Sequence, residues 1–139
     1  MNVVADSNIL FAALMSGSSK YLTIFRKADV YIPDFALSEI AKYENRILEK
    51  TKSKENFRSF TQALFTQITV IPKIAISPES VSQAYDLCRD IDAKDALFIS
   101  LSIELSIPLW TNDRKLANGL RSKGYTGLIG SDEMFSLSP

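Results

Sequence analysis

The sequence predicts an α/β fold in which a mostly parallel sheet is covered by helices on both faces. Three observations carry this reading. Four short apolar runs, Val3–Ala5, Val30–Ile32, Ile68–Ile71 and Ile107–Trp110, are separated by longer stretches whose apolar residues recur at helical spacing. Strand alternating with helix is the pattern of a parallel sheet, because each crossover lays a helix against it. The 139 residues contain no internal repeat and no linker-like stretch, so one domain spanning residues 1–139 is expected.

The elements follow in order. Val3–Ala5 ends at Asp6, and a helix opens at Asn8 and runs through Leu14. Ser16-Gly17-Ser18-Ser19 breaks it, after which Tyr21, Leu22, Ile24 and Phe25 mark a helix up to Ala28. The strand Val30–Ile32 is stopped by Pro33, and Asp34 is placed to N-cap a helix carrying Leu37, Ile40, Ala41, Tyr43 and Ile47. A further helix follows Ser53 with Phe57, Phe60, Leu64 and Phe65, and Pro72 closes the strand Ile68–Ile71. Ser77-Pro78 is a strong start, with Ser as cap and Pro in the first helical position, for a helix to about Arg89. Asp92–Asp95 opens an apolar helix through Leu105. Asn112-Asp113 opens another, which Gly124 ends as the residue past the cap. A fifth strand is expected near Thr126–Ile129, and from Gly130 onward no pattern is legible.

Composition narrows the chemistry. With 46% hydrophobic and 23% charged residues, and only 5 Gly and 5 Pro, the chain is neither disordered nor low-complexity. Its longest apolar run, Ile9–Met15, falls well short of the roughly 20 residues of a membrane span. Asp6 precedes that run and no Lys or Arg occurs before Lys20, so the basic start of a signal peptide is missing and a cytoplasmic protein is expected. The absence of histidine removes Ser-His-Asp and Cys-His catalysis and every imidazole ligand. The single cysteine, Cys88, excludes an intrachain disulfide and a cysteine-cluster zinc site, and reads as a buried helical residue. Sixteen Lys and Arg balance sixteen Asp and Glu, which argues against coating nucleic acid by bulk charge. Locally, Lys42–Arg58 holds six basic residues against three acids, read either as a solvated helical face or as a phosphate-steering patch.

Ligands of open parallel sheets bind at the carboxyl ends of the strands. Asp6 and Asp113 lie just past such ends, Glu39 about one turn beyond Asp34, and Asp95 in the first turn of its helix. Four acids from four segments therefore converge on one edge, where they repel each other unless a cation neutralises them. Oxygen donors with no His or Cys partner point to Mg²⁺ or Mn²⁺, which would activate water and stabilise charge on a phosphoryl group. Each acid also has a structural reading. Asp6 is placed to cap the first helix, Asp92 and Asp95 resemble a capping box, and Asp113 sits where the helix dipole favours negative charge. Arg114 and Lys115 oppose that dipole, which points to acidic neighbours or an anionic substrate.

Four motifs in order, V-V-A-D-S-N-I-L at Val3–Leu10, L-S-E-I at Leu37–Ile40, D-A-K-D-A-L-F-I at Asp92–Ile99 and L-W-T-N-D-R-K-L at Leu109–Leu116, together resemble a PIN domain. The resemblance runs from Met1 to about Ile129. It implies a three-layer α/β/α sandwich and a metal-dependent nuclease acting mostly on RNA, and many small relatives are VapC-type toxins restrained by an antitoxin protein. Carried over residue by residue, the family's four acids match Asp6, Glu39, Asp95 and Asp113; its polar residue matches Asn8, and its Thr matches Thr111. Asp92 is a further acid beside the third.

Together, acid placement and resemblance imply that Asp6, Asp95 and Asp113 hold one or two Mg²⁺ or Mn²⁺ ions while Glu39 orients or deprotonates a water. Arg114, Lys115 and the Lys42–Arg58 segment would follow substrate phosphates. Phe11, Tyr43 and Trp110 are candidate stacking platforms for unpaired bases. Expected partners are RNA, an antitoxin protein and a second copy of the chain. Tyr21, Phe25, Phe57, Phe60 and Phe65 are either ordinary core or a dimer face. Two rivals remain. One is a catalytically weak PIN-like module that binds protein or RNA. The other is a phosphotransfer domain, but Asn8 stands where a D-x-D phosphatase keeps its second Asp, and the strand ending Val70-Ile71-Pro72 offers no receiver-type nucleophile.

Overall fold

The structure, a computed structural model, describes residues 1–52 and 54–137. Ser53, ahead of which the sequence ends one helix and after which it begins the next, lies outside the described residues. The chain order is β1 (Asn2–Ala5), α1 (Ser7–Ser16), α2 (Ser19–Lys27), β2 (Asp29–Pro33), α3 (Phe35–Lys42), α4 (Glu44–Lys50), α5 (Phe57–Thr66), β3 (Ile68–Ile71), α6 (Pro78–Cys88), α7 (Ala96–Leu105), β4 (Leu109–Trp110), α8 (Arg114–Ser122), β5 (Leu128–Ile129) and α9 (Ser131–Ser136). Short 3-10 turns occupy Lys73–Ala75 and Ala93–Asp95.

The five strands form one sheet in the order β3-β2-β1-β4-β5, and every pairing is parallel. The predicted α/β/α sandwich is thus the observed fold. Central β1 is apolar on both sides, with Val3, Val4 and Ala5 fully buried, as a strand covered by helices on each face must be. Helix α7 lies against β1, β2 and β4, with α6 packed on it, while α2 lies against β2 and α1 meets α3, α4 and α5. Phe25, Trp110, Phe98 and Leu64 are among the large side chains closing the core.

The strand order positions the site. From β1 the chain steps outward through β2 to β3, then returns across β1 to β4 and β5. The direction of winding therefore reverses between β1 and β4. At such a point the crossovers diverge to opposite faces and leave a crevice at the carboxyl edge. Asp6 and Asp113 follow the two strands that border it.

Several elements differ from expectation. The helix expected to run from Asp34 through Ile47 is broken at Tyr43, whose φ of −104° and ψ of 16° leave the helical range. The break lets α3 lie against β2 and α1 while α4 turns to lie along α1 and bury Ile47. Asp34 occupies the cap position but makes no side-chain cap; its carboxylate accepts instead from the Lys73 amide at 3.4 Å. Beyond Gly130 the chain forms α9. Its Ser131 hydroxyl accepts from Trp110 Nε1 at 3.0 Å and from Asn112 Nδ2 at 2.8 Å. Trp110 is thereby fully buried, which removes it as a stacking platform.

Candidate active site

Each acid is set by its local backbone. Asp6 stands in extended conformation between β1 and α1, and its Oδ1 accepts from the Ile9 amide at 3.0 Å. Asp113 repeats the arrangement between β4 and α8, its Oδ1 accepting from the Leu116 amide at 3.0 Å. Both capping readings are therefore realised. Capping occupies one carboxylate oxygen and holds the rotamer, so it is compatible with a second role for the other oxygen. Thr111 steadies this corner by accepting from the Asp113 amide at 3.1 Å.

Asp92 and Asp95 divide the work differently from a capping box. Asp92 Oδ1 accepts from the Lys94 amide at 3.0 Å, closing the 3-10 turn. Asp95 sits at the head of α7 with no side-chain cap bond. Glu39, on α3, receives a hydrogen bond from the Ser7 hydroxyl. Ser7 follows Asp6 in V-V-A-D-S-N, so it was in view in the sequence, but its reach to Glu39 depends on how α1 meets α3.

The electrostatics show that these acids share one environment. Burial, with Asp113 nearby, pushes the Asp6 carboxyl up to about 6, although Thr111 and the Ile9 amide draw it down. Asp95 is pushed up to about 7, first by burial and then by the charges of Asp92, Asp6, Asp113 and Glu39. Asp95 is thus the acid that senses all the others. Carboxylates that raise one another this way, with no cation paired to them, favour a bound divalent ion.

Two clefts flank the cluster. The first, about 420 Å³, is lined by Asp6, Asn8, Glu39, Asp92 and Asp95 on its acidic side. Arg46 and Lys50 of α4 and Lys94 line it as well. The second, about 490 Å³, is lined by Thr111, Asp113 and Arg114, with Asp132 and Glu133 of α9 opposite. Arg114 thus shares a cleft with three acids, Asp113, Asp132 and Glu133, without forming an ion pair with them among the described residues. Lys115 is exposed and lines neither cleft, so of the two expected phosphate contacts only Arg114 is placed beside the acids. Lys94 is a cleft residue that sequence reasoning passed over, although it lies inside the D-A-K-D motif.

Comparison with known proteins now bears on this geometry. The sequence matches the PIN domain family over residues 4–128, a span that includes all four acids. The chain belongs to the PIN domain family. PIN domains form a nuclease superfamily, so the reaction class expected at this edge is nucleic-acid hydrolysis. The fold is similar to that in the crystal structure of PAE2754 from Pyrobaculum aerophilum, with a TM-score of 0.67 and 16% identity over 99% of this chain and 88% of that one. No curated protein matches the sequence.

The donor set of this PIN domain fits a hard divalent ion: it offers carboxylate oxygens, two of them on acids with raised pKa, and no histidine. Among the described residues, no three acids are drawn closely enough together to enclose an ion as they stand. Asp95, which makes no side-chain cap bond, is the acid freest to close such a set. None of the described helices is long and apolar enough to cross a membrane.

Proposed function

We propose that this chain is a metal-dependent endoribonuclease that hydrolyses RNA phosphodiesters, and that it serves in the cytoplasm as the toxin of a toxin–antitoxin pair. The observation that carries the nuclease reading is that Asp6, Glu39 and Asp95, from three separate segments, line one cleft at the carboxyl edge of the sheet. Asp6, Asp95 and Asp113 would hold Mg²⁺ or Mn²⁺, which supplies a water of lowered pKa and charge neutralisation at the phosphoryl oxygens. Glu39, which accepts from the Ser7 hydroxyl, would orient the attacking water or take its proton. Asn8 and Asp92 line the cleft beside them, and Thr111 holds Asp113 in place. Arg114 contacts a substrate phosphate on the second-cleft side. The toxin role is supported by the resemblance to PIN domains, many small members of which are VapC-type toxins.

The test is cleavage of a mixed single-stranded RNA pool with Mg²⁺, Mn²⁺ or EDTA, beside the Asp6→Asn variant. Asparagine keeps the oxygen that accepts from Ile9 but loses the charge, so the variant folds and does not cut. Cleavage by that variant in Mn²⁺ overturns the site. A second reading, a PIN-like module that binds RNA or protein with little catalysis, is favoured by the absence of three acids close enough to enclose an ion among the described residues. It predicts no metal-dependent cleavage by the wild-type chain. The toxin role is tested separately, by growth arrest on expression and its relief by a co-expressed partner.

A further inference from the structure

The first cleft carries more than acids. Arg46 and Lys50 lie four residues apart on α4, hence on one face of that helix, and both point to the same cleft as Lys94. Asp6, Glu39 and Asp95 line the same cleft. Cations and carboxylates sharing one cleft ordinarily pair, yet among the described residues the only ion pair is Lys123–Asp90, which involves none of these six. A cleft lined by unpaired charges of both signs suits a ligand that is itself anionic and brings a cation with it. Phe11 and Tyr43 form the apolar wall, their rings edge to face with centroids 5.7 Å apart. Tyr43 is 37% exposed because the α3–α4 break lifts it out of the core.

We infer that this cleft is a nucleotide subsite, in which Arg46, Lys50 and Lys94 hold a backbone phosphate neighbouring the one attacked and the Phe11–Tyr43 wall takes the adjoining base. The inference rests on the nuclease reading and adds the direction of the strand to it: from α4, across the acids, toward Arg114. A base laid on the Phe11–Tyr43 wall must be unpaired, so the substrate at this point is single-stranded. A wall of ring faces and edges accepts any base, and cations on flexible stems read charge and not sequence. The subsite therefore adds affinity without base preference.

The experiment measures binding of a short fluorescent single-stranded RNA as a function of salt, with Ca²⁺ replacing Mg²⁺ to hold off cleavage, and KM and kcat in Mg²⁺. Each phosphate contact contributes about 0.7 to the slope of log K against log salt for a single strand. The Arg46→Gln/Lys50→Gln variant, which removes two of the three cations on that one phosphate, is expected to lose up to about 0.7 from that slope and to raise KM more than it lowers kcat. Tyr43→Ala is expected to bind roughly 5- to 150-fold more weakly at unchanged slope, with Tyr43→Phe restoring most of it. Arg46, Lys50 and Tyr43 are exposed, so unchanged circular dichroism is expected to verify each fold. An unchanged slope and KM in the double variant, while the wild type binds and cuts, overturns the subsite alone and leaves the cleft to a protein ligand. Failure of the wild type to bind or cut any RNA overturns the nuclease reading and the subsite with it.

Discussion

The Asp6 amide donates to the Trp110 carbonyl at 3.1 Å, carrying the β1–β4 ladder one residue past the end of β1. That single bond binds the first acid of the cluster to the most deeply buried aromatic of the neighbouring strand. Asp6 is only 3% exposed as a result, and its position is set by the sheet rather than by a loop.

A buried acid without a cation has a cost that depends on pH. The unfolded chain releases the Asp6 and Asp95 protons near 4, whereas the folded chain holds them to about 6 and 7. Between those values the folded state binds more protons, so stability falls as pH rises through that window. For Asp6 alone the loss is on the order of 3 kcal/mol. Urea denaturation in EDTA is expected to show a less stable protein at pH 8 than at pH 5, and Asp95→Asn is expected to flatten the difference. A profile that rises with pH in the wild type contradicts this electrostatic picture.

Divalent metal should reverse that loss. At about a hundredfold excess over its Kd, Mg²⁺ or Mn²⁺ is expected to stabilise the wild type by roughly 2.7 kcal/mol at pH 8, because it binds the folded cluster and not the dispersed acids of the unfolded chain. Thermal melts with and without metal measure this. The shift should vanish in Asp95→Asn and persist in a variant of the exposed Lys115.

Ser7 offers a separation of fold from chemistry. Its hydroxyl donates to Glu39 across the α1–α3 contact, and it does not cap α1, a task that Asp6 performs. Ser7→Ala is expected to lower kcat by roughly 10- to 100-fold, as loss of an orienting partner does, with little change in melting temperature. Ser7→Thr should recover much of the rate.

One position is strained for reasons unrelated to the site. Ser106 ends α7 in the left-handed region at φ 54°, ψ 43°, where a side chain is disfavoured and glycine is not. Ser106→Gly is expected to raise stability by about 0.5–1 kcal/mol in chemical denaturation while leaving cleavage unchanged.

Much of this molecule is written locally. The runs Val3–Ala5, Val30–Ile32 and Ile68–Ile71 become strands, and Ser77-Pro78 starts α6 with the Ser77 hydroxyl accepting from Ser80 as the spacing predicts. Gly124 takes a positive φ of 90° past the end of α8 for the same reason. Asp6 and Asp113 were legible as edge residues because a strand end is a one-dimensional feature, and a parallel sheet places all such ends on one side. The fifth strand expected near Thr126–Ile129 is present, shortened to Leu128–Ile129, whereas α9 left no legible pattern because a six-residue helix is too short to show a period.

By itself, then, the sequence determined a parallel α/β fold and the presence of acids along its carboxyl edge, since apolar period, caps and strand ends act over a few residues. The tertiary structure alone decided the break at Tyr43, the burial of Trp110 beneath α9, the link from Ser7 to Glu39, and the turning of Arg46, Lys50 and Lys94 into the acidic cleft. Each of these depends on the angle at which one element packs against another, and that angle is set by interdigitating side chains distant in the chain, which no local pattern records.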